Sequence, residues 1–174
     1  MAGRRRPAGR IDQPGRTPAD DPVAKAKDAA LRLLAVRARS RGELEQRLAQ
    51  RGFGGEVVAA ALDRLADAGL VDDARFAAAY AQGRAARGVD ARVIAGELRD
   101  RGVAPELAGR ATEAAAPPEE QVERCRRVAT ARLAHLDGLA PEVRLRRLAG
   151  YLERRGYPAE VVGPVLADLI PRRD

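Results

Sequence analysis

Apolar positions along this chain fall into one pattern that occurs three times: Leu or Ile, a Leu four residues on, then Arg-Gly and a large apolar residue. It reads Leu44–Leu48–Arg51–Gly52–Phe53, Ile94–Leu98–Arg101–Gly102–Val103 and Leu148–Leu152–Arg154–Arg155–Gly156–Tyr157. Spacing of four puts both aliphatic residues on one face of a helix, and the glycine suits the left-handed residue that ends it. Val57, Leu107 and Val161 each follow the arginine ahead of that glycine by six residues, and Leu62 and Leu166 follow it by eleven, where the middle copy has Thr112. The copies are offset by 50 and 54 residues, the signature of a helical repeat protein.

Local signals place the helices around this frame. A first amphipathic helix begins at Val23 and carries Ala26, Ala30, Leu33 and Leu34. Ser40 with Glu43 forms a capping box, so a second helix runs from Arg41 to about Arg51, and a third covers Glu56 to Ala68 and stops at Gly69. Asp72 is a natural N-cap, and Asp73 suits the positive end of the next helix, whose buried stripe holds Phe76, Ala77 and Tyr80 and which Gly88 closes. Helices near Asp90–Arg101 and Pro105–Ala115 follow, the latter with proline where no N–H is missed. Pro117-Pro118 breaks the pattern as a hinge. Beyond it, helices are expected from Glu119 to about Leu136, from Pro141 to Gly156, and from Pro158 through Leu169.

The expected fold is therefore all-α: three tandem three-helix repeats in an elongated, curvable array. Residues 1–22 form a disordered basic tail, 23–69 the first repeat, 70–116 the second and 117–174 the third. A three-helix unit of about fifty residues is marginal alone, so stacking of the repeats is expected to supply the missing stability.

Composition sharpens this picture. Aromatic residues make up only 3% and tryptophan is absent, so the core must be aliphatic and alanine-rich, which suits close helix packing. The charge is +7, from 32 basic and 25 acidic residues spread along the chain. Basic helices can meet phosphates or an acidic protein groove, and 30 arginines against 2 lysines favour bidentate pairing, although GC-rich codon usage contributes to that bias. Cys125 is the one cysteine, which excludes an intrachain disulfide and fits a reducing cytoplasm. The Arg- and Pro-rich start has no apolar stretch of the kind a secretory leader carries, so none is expected, and no apolar run is long enough to cross a bilayer.

Catalytic chemistry finds little support. Asp72 and Asp73 are the most enzyme-like residues, but a helix start explains them as caps. His135 and Cys125 are singletons, read as a surface histidine and a packed thiol, and no phosphate-binding loop is present. The chain is expected to be no enzyme and to hold no metal or cofactor. Phe53, Phe76, Tyr80, Tyr151 and Tyr157 follow the apolar register and read as core.

The pattern Ser40-x-x-Glu43-Leu44-x-x-x-Leu48-x-x-Arg51-Gly52, followed by Leu65-x-x-x-Gly69-Leu70-Val71-Asp72-Asp73-x-x-Phe76-Ala77-x-x-Tyr80, resembles the RecX family of bacterial RecA regulators. Glu97-Leu98-Arg99-x-Arg101-Gly102-Val103 resembles a second block of that family, and the likeness spans about residues 29–170. The resemblance implies tandem three-helix repeats lying along the groove of the RecA–single-stranded DNA filament and inhibiting its ATP hydrolysis, strand exchange and co-protease activity.

The candidate contact residues are Arg47, Arg51, Arg99, Arg101, Arg154 and Arg155, which recur near the end of the middle helix of each repeat and could pair with filament carboxylates or DNA phosphates. Glu43 is spaced to pair with Arg47. Reversing Arg51, Arg101 and Arg155 together to Glu is expected to weaken inhibition without unfolding the protein. The alternative is direct DNA binding through phosphates. Base reading is disfavoured, because the third helix of each repeat (from Glu56, Glu106 and Glu160) is apolar and acidic. A monomer is expected.

Overall fold

The computed structural model describes residues 21–170, and among these it contains nine α-helices and no strand. Helices α1 (Pro22–Val36), α2 (Arg41–Ala49) and α3 (Gly55–Asp67) form the first group. The second comprises α4 (Asp73–Ala86), α5 (Ala91–Asp100) and α6 (Pro105–Ala115). The third comprises α7 (Gln121–Leu133), α8 (Pro141–Glu153) and α9 (Ala159–Leu169), with short 3-10 turns at Pro118–Glu120 and Ala134–Leu136 flanking α7. The basic tail expected over residues 1–22 lies outside the described residues except for Asp21 and Pro22. These two start α1: the Asp21 carboxylate accepts from the Val23 N–H at 3.0 Å and Pro22 takes the first helical position.

Helix ends follow from their caps. Ser40 Oγ accepts from the Glu43 N–H at 3.0 Å, Asp72 from the Arg75 N–H at 2.9 Å and Asp90 from the Arg92 N–H at 3.1 Å. The Arg-Gly turn closes in the same way in every copy. Gly52, Gly102 and Gly156 have φ of 86°, 75° and 92°, and the following Phe53, Val103 and Tyr157 donate N–H to Leu48, Leu98 and Leu152 carbonyls at 3.3, 3.1 and 3.2 Å. This is a Schellman closure, in which the apolar residue after the glycine returns to the helix face it has just left.

Within each group the first helix packs on the third and the second bridges them, enclosing a separate core. Leu44, Leu48, Leu62 and Leu65 fill the first, Ala77, Ala81, Ile94 and Leu98 the second, and Leu148, Leu152, Val165 and Leu166 the third. The expected array of three-helix repeats is present, with each repeat enclosing its own core and making no broad helix pairing with the next. All the broad helix pairings fall within a group, and the groups meet at two narrow joints.

Both joints have the same design. The start of the second helix in one repeat meets the Arg-Gly turn of the next. At the first joint the Ser40 hydroxyl donates to the Arg101 carbonyl, and the Arg41 N–H donates to Asp73 Oδ1 at 2.7 Å. Gly42 and Gly102 touch backbone to backbone: a Cβ on Gly42 would fall 2.7 Å from the Gly102 Cα. At the second joint the Asp90 N–H donates to the Arg155 carbonyl at 2.8 Å, and Arg92 Nη2 donates to the Gly156 carbonyl at 2.8 Å. Gln121, the first residue of α7, donates to the buried Asp90 carboxylate at 2.6 Å. The sequence offset of 50 relates Ser40 to Asp90 and, in the turns, 54 relates Arg101 to Arg155, so the same positions build both joints.

Candidate partner-binding face

The six candidate arginines separate into two classes. Arg47, Arg51, Arg99 and Arg154 are exposed, and no side chain among the described residues makes a hydrogen bond or ion pair with them. Arg101 and Arg155 instead fold back onto tyrosine rings, each with its guanidinium carbon 4.5 Å from the ring centroid, over Tyr80 and Tyr151 respectively. Arg101 Nη1 also donates to the Glu97 carbonyl at 2.7 Å, while Arg155 donates to the Tyr151 hydroxyl at 2.6 Å and to the Arg87 carbonyl. These two arginines brace the joints, and their backbone carbonyls receive the joint bonds. Reversing either to Glu therefore strains the array as well as its surface charge.

Glu43 does not pair with Arg47. It faces the first joint, where Arg37 grips both carboxylate oxygens at 2.9 and 3.1 Å and the Arg101 guanidinium stands 3.9 Å away. Burial pushes this carboxyl up, but the Arg37 bonds and charge, the Ser40 amide and Arg101 outweigh it, leaving the pKa below its ordinary value. The reason for the mismatch is geometric. The capping turn brings residue 37 back over the first turn of α2, and a two-pronged partner there displaces a one-turn neighbour.

A second network sits beside the first joint. Arg84 reaches Glu97 at 2.5 and 2.7 Å, and the Tyr80 hydroxyl donates to the same carboxylate at 2.8 Å. Burial raises the Glu97 carboxyl; the bonds from Arg84 and Tyr80 and the nearby guanidiniums lower it further than burial raises it. Burial, the bond to Glu97 and that carboxylate's charge together raise the Tyr80 phenol.

The carboxylates that looked most enzyme-like are occupied structurally, Asp72 as a cap and Asp73 as the acceptor for Arg41 across the joint. Among the described residues no group of three or more His, Cys, Asp or Glu is placed to hold a metal. Cys125 is buried in the third core, which, with the charge of Asp90, pushes its thiol up to about 11, and His135 is exposed.

Two clefts open beside the joints. One, of about 580 Å³, has Leu34, Leu70, Phe76 and Tyr80 in its walls with Arg37, Arg39 and Arg75. The other, of about 440 Å³, is lined by Arg87, Arg124, Arg127, Val128 and Tyr151 among others. Sequence reasoning missed both, although the offset of 50 that aligns the leucines also maps Arg37 onto Arg87.

Family models for the first, second and third three-helix domains of RecX match residues 26–65, 72–111 and 119–166. A regulatory protein RecX from Thermobifida fusca is 42% identical over 153 residues, covering 87% of this chain and 82% of the relative. One from Mycolicibacterium smegmatis is 41% identical over 155 residues, covering 84% and 81%. The crystal structure of RecX from Lactobacillus salivarius superimposes with a TM-score of 0.68 at 20% identity, covering 86% of this chain and 97% of that one, and so shares the fold.

Proposed function

This chain belongs to the RecX family of regulatory proteins, and from that premise we propose that it binds a RecA–single-stranded DNA filament and chiefly inhibits its ATPase, strand-exchange and co-protease activities. It does so as a monomer in the cytoplasm, with no catalytic step of its own and at most weak contact to DNA phosphates. The supporting observation is the set of four exposed guanidiniums, Arg47, Arg51, Arg99 and Arg154, none of which is neutralised by a carboxylate within the described residues. All lie near or just after the end of a repeat's second helix, so the same feature recurs in each repeat along the array. An unpaired arginine on a rigid helix end keeps its donors aligned for carboxylate or phosphate without first breaking an internal ion pair. Arg101 and Arg155 contribute indirectly, by fixing the spacing between repeats.

The test is titration of the protein into cognate RecA filaments at fixed salt, reading DNA-dependent ATP hydrolysis together with co-sedimentation. The wild type is expected to inhibit and to co-sediment. The variant Arg47→Glu, Arg51→Glu, Arg99→Glu, Arg154→Glu is expected to retain its helical circular dichroism and to lose most of both effects. A folded wild type that neither inhibits nor co-sediments ends the reading; a folded fourfold variant of full potency moves the contact elsewhere.

A further inference from the structure

The cleft beside the first joint combines an apolar floor with a cationic rim. Its floor is apolar: Phe76 and Tyr80 stack with ring centroids 6.0 Å apart, flanked by Leu34 and by Leu70, which is 49% exposed. Val36, next in sequence to the lining residue Arg37, is 79% exposed. A concave place with apolar walls is suited to receiving a partner's apolar side chain.

Its rim is cationic and only partly neutralised. Arg37 is held by Glu43, but among the described residues Arg39 has no carboxylate partner and donates only to the Leu33 carbonyl at 3.3 Å. Burial, and after it the charge of Arg37, depresses the pKa of Arg39; Glu43 pulls the other way, and Arg47 and Arg51 add lesser downward pushes. Arg75 donates to the Gly69 carbonyl at 2.9 Å and has no acidic partner among the described residues either. The lining carboxylate, Asp72, is occupied by capping α4.

We propose that this cleft is a docking site for an acidic segment of a partner protein carrying one or two bulky apolar side chains. The apolar side chains enter between Leu34, Leu70 and Phe76, and the flanking carboxylates meet Arg39 and Arg75. Charge complementarity selects this occupant. A nucleic-acid strand would satisfy the arginines yet lay phosphates over an apolar floor, and a neutral or basic peptide would leave the guanidiniums uncompensated. The second cleft, with Arg87, Arg124 and Arg127 around Val128, Tyr151 and small residues, has no Leu or Phe in its walls. The proposal does not depend on the recombinase reading, since peptide binding is read without any filament.

The experiment is fluorescence anisotropy of the full chain with a short labelled peptide in which a Leu-Phe pair is flanked on both sides by glutamates. Saturable binding is expected, weakened about tenfold or more by Leu70→Ser and by Arg39→Glu, unchanged by Arg127→Glu, and lost when the peptide's glutamates become lysines or its Leu-Phe becomes Ser-Ser. Leu70 and Arg39 lie outside the buried cores, and circular dichroism checks that each variant is folded. No saturation by the folded wild type overturns the proposal, as does binding that neither substitution weakens. So would either of two other occupants: a concentration-dependent dimer abolished by Leu70→Ser, or an oligonucleotide whose binding Leu70→Ser reverses.

Discussion

The turn glycine is the same residue in three copies, yet it faces three environments. Each requires positive φ, which costs a residue with a Cβ about 1–2 kcal/mol. Around Gly52 nothing lies within 4 Å of the missing Cβ. At Gly102 the added atom would fall 2.8 Å from the Gly42 Cα, and at Gly156 it would collide with the Val93 side chain. Gly52→Ala should therefore lose about 1 kcal/mol and leave the array intact. Gly102→Ala should lose more and open the first joint, seen as faster exchange of the Arg41 amide that is otherwise held by Asp73; equal losses at the two positions would mean that the joint yields freely. Thr112 makes a second case at this scale. It occupies the leucine position of the repeat, is 5% exposed, and its hydroxyl has no hydrogen-bond partner. Thr112→Val keeps the shape and removes the unsatisfied oxygen, so a gain of up to about 1 kcal/mol in urea unfolding is expected.

At the scale of the element, the start of α2 is capped twice, once by its own N-cap residue and once by the neighbouring repeat. Ser40 accepts from α2 and donates to the next repeat, while Asp73 starts α4 and receives the Arg41 N–H. Charge follows the same economy: Glu97 holds Arg84 and Tyr80, with its side chain 26% exposed. Its folded pKa is depressed, so folding favours the ionised form. The resulting stability is complete above the ordinary carboxylate range and is lost as pH falls below about 4.3 and on through the folded value. Glu97→Gln should cost about 1–2 kcal/mol at neutral pH, and its deficit against the wild type should shrink as the pH is lowered below 4. A deficit independent of pH would assign the loss to shape. Helices of this kind were legible in sequence because Ser40, Asp72, Pro105 and the turn glycines act within four residues of themselves; observed ends fall within about three residues of those expected, with 3-10 turns at Pro118–Glu120 and Ala134–Leu136 taking up both ends of α7. The partner of Glu43 was misread, and the contacts of Arg101 and Arg155 with rings and carbonyls were not foreseen, because a long side chain chooses its partner from what tertiary contact brings near, and helical spacing offers only the neighbours on its own face.

For the whole molecule, the consequential feature is the division of the core. A solenoid that buries one continuous interior unfolds as a coupled stack, since each repeat completes its neighbour's apolar face. Here each group closes its own core, and the joints consist of a few backbone-level hydrogen bonds and a glycine contact. Such joints fix the direction in which one repeat follows another while transmitting little packing energy between them. Repeat proteins present extended surfaces through that kind of geometry, and the exposed arginines gain their spacing from it. Leu152 is fully buried in the third core, so Leu152→Ala should cost about 2–5 kcal/mol there. Because that core shares no residue with the first, amide exchange in α8 and α9 should accelerate while the amides of α2 and α3 keep their protection. Uniform acceleration across all the helices would show that the joints couple the repeats far more strongly than their few bonds imply, and the array would then behave as a single cooperative unit.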